Sequence, residues 1–345
     1  MKAVIFHEHG EVDRLQCAEV KEPKPGPGEV KIKVEACALN HLDIWVRLGG
    51  RPVPIPMPHI SGSDIAGTVV ETGRGVKDIA VGTRAALAPG LSCGQCEYCL
   101  NGNDSACAEY KLMGFQVQGG YAEYAVAPAR NVIPVSEKLS FEEWASIPLV
   151  FVTSWHMLFT RGKLRCGETV LIQAAGSGLG IAAIQLAKLA GARVIATAGT
   201  DAKLKRAQKL GANEVINYKE KDFVAETMRI TNGRGVDLVF EHIGGETFTR
   251  SIDALRRTGR LCICGVTAGM EAKINLLPFF AKQLSVHGSY MGSLSEQKKV
   301  LQLAEEGKIK PVIDKIFPLQ EAQAAQQRML DRKNFGKIVL KNSEE

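Results

Sequence analysis

The chain has 345 residues, of which 45% are hydrophobic and 23% charged, proportions that exclude a disordered, collagen-like or coiled-coil protein and fit about two globular domains. Lys and Arg number 43 against 37 Asp and Glu, a formal charge of +6, which suits an anionic small molecule but is too mild for a nucleic-acid surface. Four of the nine cysteines crowd between Cys93 and Cys107, a distribution that points to a metal site in a reducing compartment rather than to a disulfide framework.

The opening residues Met1–Phe6 reach His7 and Glu8 before a secretory apolar core can develop, and no stretch has the length of a membrane span. A cytoplasmic protein acting on a small-molecule substrate, with no nucleic-acid or membrane partner, is expected. Val30, Ile32, Val34 and Ala36 alternate with Lys31, Lys33 and Glu35, the period of a half-buried strand. Short runs at 65–70 and 121–126, punctuated by glycines, extend a β-rich first domain. Ser140-Phe141-Glu142-Glu143 has the form of a capping box and starts a helix, and 145–159 reads as one buried helix.

From Glu168 the pattern becomes strand, helix, strand: strands at 169–173, 193–197, 214–216, 236–240 and 261–264, with helices at 179–190 and 202–210 between the first three. That alternation predicts an α/β domain with a doubly wound parallel sheet. Residues 294–306 read as a helix, and 311–317 and 337–340 as strands.

The first of these strands runs into Ala174-Ala175-Gly176-Ser177-Gly178-Leu179-Gly180. Small residues between a strand and a helix let the backbone approach a pyrophosphate that the helix N-terminus then binds. At the tip of the second strand, Ala198-Gly199-Thr200 carries no acid to hold a ribose 2′-hydroxyl. Asp201 is either a displaced ribose ligand or, more simply, the cap of the next helix. Lys203 offers a cation for a 2′-phosphate, so the spacing favours NADPH. Cys93, Cys96, Cys99 and Cys107 can close a tetrahedral zinc shell; an iron–sulfur cluster, redox-active thiols or no ligand are the alternatives. A closed shell has no position for substrate, so such a zinc is structural.

Together with Met1-Lys2-Ala3-Val4 and Gly336-Lys337-Ile338-Val339-Leu340, these motifs resemble the medium-chain dehydrogenase/reductase superfamily over essentially the whole chain. The resemblance implies a GroES-like β-rich catalytic domain with the zinc lobe over 1–150, a doubly wound Rossmann nucleotide-binding domain over 151–290, and a segment 291–345 that returns to the catalytic domain. It also implies a homodimer or homotetramer.

The zinc alcohol dehydrogenases of that superfamily bind a second, catalytic zinc. Their three ligand positions look like Asn40, Ser63 and Leu149 here, none of which suits the metal. A rearranged site drawing on Cys37, His41, Asp43, His59 or Asp64 is the alternative, although Asp43 and Asp64 read more simply as backbone-fixing acids and His59 as packing beside Pro58. Asn40 and Gly62-Ser63-Asp64 are similar to the quinone oxidoreductase branch, which the resemblance uses to place Asn40 by the nicotinamide ribose and Thr153 by its ring. The expected cofactor contacts are then Asn40, Thr153, Gly176, Ser177, Gly178, Leu179, Gly199, Thr200, Lys203, Tyr218, Ile243, Val266 and Arg332. Lys203, Tyr218 and Arg332 form the 2′-phosphate set.

A conjugated acceptor spreads the charge left by hydride transfer, so it needs no metal to hold an alkoxide. The expectation is therefore NADPH-dependent reduction of a quinone or α,β-unsaturated carbonyl, with one structural zinc. The alternatives are an alcohol or aldehyde dehydrogenase and a nucleotide-binding structural or regulatory protein without turnover. No proton donor is legible; His41, Trp45 and His156 either line the site or pack within their helices. The other five cysteines, Cys17, Cys37, Cys166, Cys262 and Cys264, read as buried or semi-buried thiols.

Overall fold

A computed structural model of the chain describes residues 1–49 and 53–342. They form two compact units, one built from Met1–Leu149 with the C-terminal segment from Ser293, the other from Val150–Gly292.

In the first unit the alternating stretch is the long strand Glu29–Ala38. Val30, Ile32, Val34 and Ala36 are buried on one face, while Lys31 on the other pairs with Glu22 and Glu71. This strand lies inside a seven-stranded sheet, between Asp64–Thr72 and the C-terminal strand Lys337–Lys341, with Tyr124–Pro128 also paired to it. The C-terminal strand runs antiparallel to Glu29–Ala38, with Val339 opposite Ala38 and Leu340 opposite Cys37. The ladder continues through the Leu39 amide, which donates to the Ile338 carbonyl at 2.8 Å. That register carries Lys337 to the level of Asn40.

The second unit is a six-stranded, wholly parallel sheet in the spatial order 214–217, 193–198, 169–172, 236–241, 255–263, 285–288. Strands buried on both faces need near-continuous apolar runs, and Leu171, Ile195, Ile216, Val239 and Leu261 supply them to a single core. The order reverses between 169–172 and 236–241, the switch point at whose carboxyl ends ligands of open α/β sheets bind. At the opposite ends of the same two strands Asp237 accepts the Thr169 amide and two bonds from the Arg234 guanidinium, and contacts Arg256.

Three local expectations are corrected. The stretch 145–159 is not one helix. Ser140 caps a short helix Phe141–Ala145, and a new helix begins at Pro148 and runs to Trp155. Proline has no amide to continue the first helix but fits the start of the second. The chain then widens into a π-helical turn over His156–Arg161, closed by Gly162 donating to Met157 O at 2.8 Å. The strand expected from Tyr121 begins at Tyr124, because the Tyr121 amide is bonded to Ser61 and its carbonyl to Val4. Cys17 and Cys166 are exposed rather than buried, although all nine cysteines are free thiols. Among the described residues no helix is long and apolar enough to cross a membrane.

Candidate functional site

The glycine turn sits at the switch point. After Ile172 the chain turns sharply through Ala174, whose φ is +50°. Thr197 from the neighbouring strand steadies it, accepting the Ala174 amide at 3.2 Å and donating to the Gln173 side chain at 2.7 Å. Ser177 is extended and caps the helix Gly178–Leu189, its hydroxyl accepting the Gly180 amide at 2.9 Å. The third glycine is there for packing: a Cβ at Gly180 would lie 2.4 Å from the Ala174 carbonyl oxygen. Gly176, Ser177, Gly178 and Leu179 thus present backbone and a helix N-terminus, an arrangement suited to a pyrophosphate.

Beside this turn stands a residue the sequence did not single out. His242 Nε2 is 3.1 Å from Ser177 Oγ; the residue is 5% exposed and its Nδ1 has no partner among the described residues. Burial pushes its pKa down from 6.5 to about 4, so the imidazole is neutral at physiological pH. Ile243 follows, its amide bonded to the buried Glu241 carboxylate at 2.9 Å and its carbonyl to the Ala268 amide at 2.7 Å. That bond ties its loop to the loop of Val266, which a Cβ on Gly244 would touch.

At the tip of the second strand the cap is Thr200, not Asp201. Thr200 has extended φ and ψ of −150° and 145°, and its hydroxyl accepts the Lys203 amide at 3.4 Å. Asp201 is already the first helical residue and accepts from the Asn217 side chain at 3.0 Å. The tip therefore stays neutral. A Cβ on Gly199 would lie 2.7 Å from the Tyr218 hydroxyl, so the structure brings Gly199, Thr200, Lys203 and Tyr218 together at one edge. Thr153 lies in the same unit, buried in its helix with its hydroxyl against the Met291 sulfur at 3.7 Å. Asn40 and Arg332 belong to the other unit. There Arg332 adopts a φ of +55°, and its charge adds to burial in lowering the pKa of His41.

The four lobe cysteines converge, their sulfurs all within 4.8 Å of one another. Cys93 and Cys99 are 3.9 Å apart, and Cys96 and Cys99 3.5 Å; a tetrahedron with Zn–S bonds of about 2.3 Å needs sulfur separations near 3.8 Å. Amides of Gln95 and Cys96 donate to Cys93 Sγ and lower its thiol pKa to about 7, favouring the thiolate a metal requires. The donors fit one zinc ion and leave no room among them for an iron–sulfur core.

The positions resembling catalytic-zinc ligands do not fit that metal. Ser63 is fully buried and spends its hydroxyl on the Met113 carbonyl at 2.7 Å. Leu149 offers only its backbone amide, which donates to Asp64 Oδ1 at 2.8 Å. Asn40 Nδ2 donates to Asp64 Oδ2 at 2.9 Å, and Lys337 Nζ donates to both Asn40 Oδ1 and Asp64 Oδ2, at 2.7 and 2.8 Å. Asp43 Oδ2 accepts from the Asn40 amide and the Tyr121 hydroxyl, and burial raises its pKa from 3.8 to about 6. Asp43 and Asp64 do fix backbone, and each also anchors side chains. His59 packs edge-on against Phe6 and bonds the Gly114 carbonyl, while His41 and Trp45 meet edge to face within one helix. Among the described residues the only set of three or more His, Cys, Asp or Glu placed to share an ion is the cysteine lobe. In the sequence Lys337 is legible as a strand residue and as part of the closing motif, not as a residue of this site.

Residues 26–137 match the family model described as alcohol dehydrogenase GroES-like domain, and 178–306 match zinc-binding dehydrogenase. An alcohol dehydrogenase of Geobacillus stearothermophilus is 35% identical, covering 100% of both chains. A quinone oxidoreductase of Rattus norvegicus is 30% identical over 99% of this chain and 97% of its own. A solved structure titled NAD-dependent alcohol dehydrogenase superposes with a TM-score of 0.96 at 44% identity, covering 99% of this chain and 100% of that one. The chain belongs to the medium-chain dehydrogenase/reductase superfamily, among its zinc-type alcohol dehydrogenase-like members, and is an oxidoreductase.

Proposed function

We propose that this member of the superfamily reduces a conjugated acceptor, a quinone or α,β-unsaturated carbonyl, with NADPH and without catalytic zinc. The reading is carried by one observation: Asn40, Ser63 and Leu149 supply no metal-binding set, the Asn40 Oδ1, the Ser63 hydroxyl and the Leu149 amide being bonded within the protein. NADPH supplies the hydride. The protein's task is then to orient donor and acceptor, a role for which we put forward Asn40 and Thr153. Charge arriving on the acceptor spreads over the conjugated system until a proton from water reaches the quinone oxygen or the carbon α to the carbonyl, which removes the need for a Lewis acid.

The neutral tip at Ala198-Gly199-Thr200, with Lys203 and Tyr218 at the same edge, supports the phosphorylated cofactor; Arg332 completes the proposed 2′-phosphate set. Gly176, Ser177, Gly178, Leu179, Ile243 and Val266 are the remaining proposed contacts. One structural zinc is assigned to Cys93, Cys96, Cys99 and Cys107. Strand 285–288 ends the parallel sheet, and Leu276, Leu277 and Phe280 are exposed in the same unit. These features support self-association as a homodimer or homotetramer, to be tested by sedimentation.

The deciding experiment follows NADPH and NADH consumption with a panel of quinones, enones and aldehydes, alongside zinc analysis and a Lys203→Ala variant. Turnover of conjugated acceptors with one zinc per chain, and loss of the NADPH preference in the variant, are expected. Two zinc ions per chain with activity lost on removing one would overturn the zinc-free reaction. Equal use of both cofactors, unchanged by the substitution, would overturn the NADPH assignment.

A further inference from the structure

The side chain of Lys337 is 5% exposed and that of its partner Asp64 fully buried. Desolvating two charges costs more than the pairing commonly returns, so such a pair is poorly explained as a stabilising device. Its geometry shows another consequence. An ammonium only donates, so the Asn40 atom it meets is Oδ1; a carboxylate only accepts, so its Asn40 partner is Nδ2. Lys337 and Asp64 therefore fix the amide in one orientation from both sides. Oδ1 faces the ammonium, one Nδ2 hydrogen is committed to Asp64, and one amide hydrogen is left to offer a ligand. The ammonium itself faces the buried carboxylates Asp64 and Asp43, and the pKa of the nearby Cys37 thiol is raised well above its ordinary value by burial and those acids. The charge of Lys337 is thus absorbed inside the protein.

We propose that Lys337 is a positioning residue of the redox site, holding the Asn40 amide so that it presents an N–H donor to an oxygen of the nicotinamide half of the cofactor. This rests on the dinucleotide reading above. The cation stands among the positions that resemble zinc ligands, and it acts through Asn40 rather than on the acceptor.

The test compares binding of whole NADPH with binding of 2′,5′-ADP, which lacks the nicotinamide half, by titration calorimetry on the zinc-loaded full chain. In Lys337→Met the affinity for NADPH should fall about tenfold, as for loss of an oriented hydrogen bond, while that for 2′,5′-ADP stays as in the native protein. Lys337→Arg should recover most of the loss. Asn40→Asp, nearly isosteric but without an N–H to present, should show the same split, and it decides alone should Lys337→Met not fold. Native affinity for NADPH in the variants, or equal loss of both ligands, overturns the proposal. Should the native protein prefer NADH, the cofactor assignment fails separately, and NADH against ADP must then show the same split.

Discussion

His242 gives the nucleotide unit a defined sensitivity to acid. Its ring is buried, its Nε2 meets Ser177 at 3.1 Å and its Nδ1 meets no partner among the described residues, so protonation places a buried charge against the glycine turn. Burial alone holds its pKa at about 4 against the ordinary 6.5, a difference equivalent to about 3 kcal/mol. The sign follows from proton binding: between these values the unfolded chain takes up the proton and the folded one does not. The stabilising effect of keeping this ring neutral is complete above pH 6.5 and is lost as pH falls toward 4, at up to about 1.4 kcal/mol per pH unit. The matched comparison is His242→Gln, which keeps a neutral group for Ser177 but cannot titrate. Calorimetric melts of both proteins from pH 4.5 to 7.5 cancel every other acid-sensitive group, including the cysteine lobe. The native protein should lose stability faster than the variant across this window, and the two curves should run parallel above pH 7. Parallel curves over the whole range would refute the claim that the ring is held neutral by burial.

Removing the lobe metal with a chelator, or replacing Cys107 with Ser, should release one zinc per chain and lower the melting temperature by several degrees while 2′,5′-ADP still binds; an unchanged melt after verified zinc loss contradicts the structural role. Gly180→Ala forces a methyl to 2.4 Å from the Ala174 carbonyl oxygen and 2.9 Å from the Ala175 Cα, both backbone atoms that cannot rotate away. It should cost about 1–3 kcal/mol of stability and weaken 2′,5′-ADP binding at least about tenfold, and calorimetric affinity within twofold of native would refute the close-packing account. Burial would raise the Asp237 carboxyl, but Arg234, the Thr169 amide and Arg256 hold it well below its ordinary value. Asp237→Asn should therefore destabilise by about 2 kcal/mol near neutral pH, given partly exposed arginines. In acid titrations the deficit should shrink below about pH 4, as the native carboxylate loses its advantage.

The features legible in the sequence share one property: their meaning is local. Glycines spaced between a strand and a helix, apolar residues alternating from Val30 to Ala36, and four cysteines within fifteen positions each specify their geometry over one or two turns of chain. The helix boundary at Pro148 was also local, but a run of apolar residues from Ala145 to Phe159 hid it, because burial on all sides erases periodicity. Thr200 was passed over as a cap for a similar reason, since adjacent Thr and Asp are both good caps and only the extended backbone of the first decides between them.

What stayed illegible depends on partners brought from far away. Lys337 and Asn40 are separated by 297 positions, and their meeting depends on the register of the last strand against Glu29–Ala38, which a shift of one residue would undo by turning the lysine to the opposite face. His242 is likewise silent in sequence, being the residue after Glu241 at the end of strand 236–241 until the parallel order sets that strand beside the glycine turn. In both cases the unusual residue is buried and its bonding reaches a proposed cofactor-binding residue, Asn40 or Ser177. A buried polar group costs free energy unless it is bonded, so such groups persist where they orient another. Lys337 orients Asn40 as a cation paired with Asp64, whereas His242 meets Ser177 as a buried neutral ring. The two units thus hold their proposed cofactor contacts by different means, and acid between pH 4 and 6.5 should add charge beside Ser177 through His242 while in the other unit it neutralises Asp43.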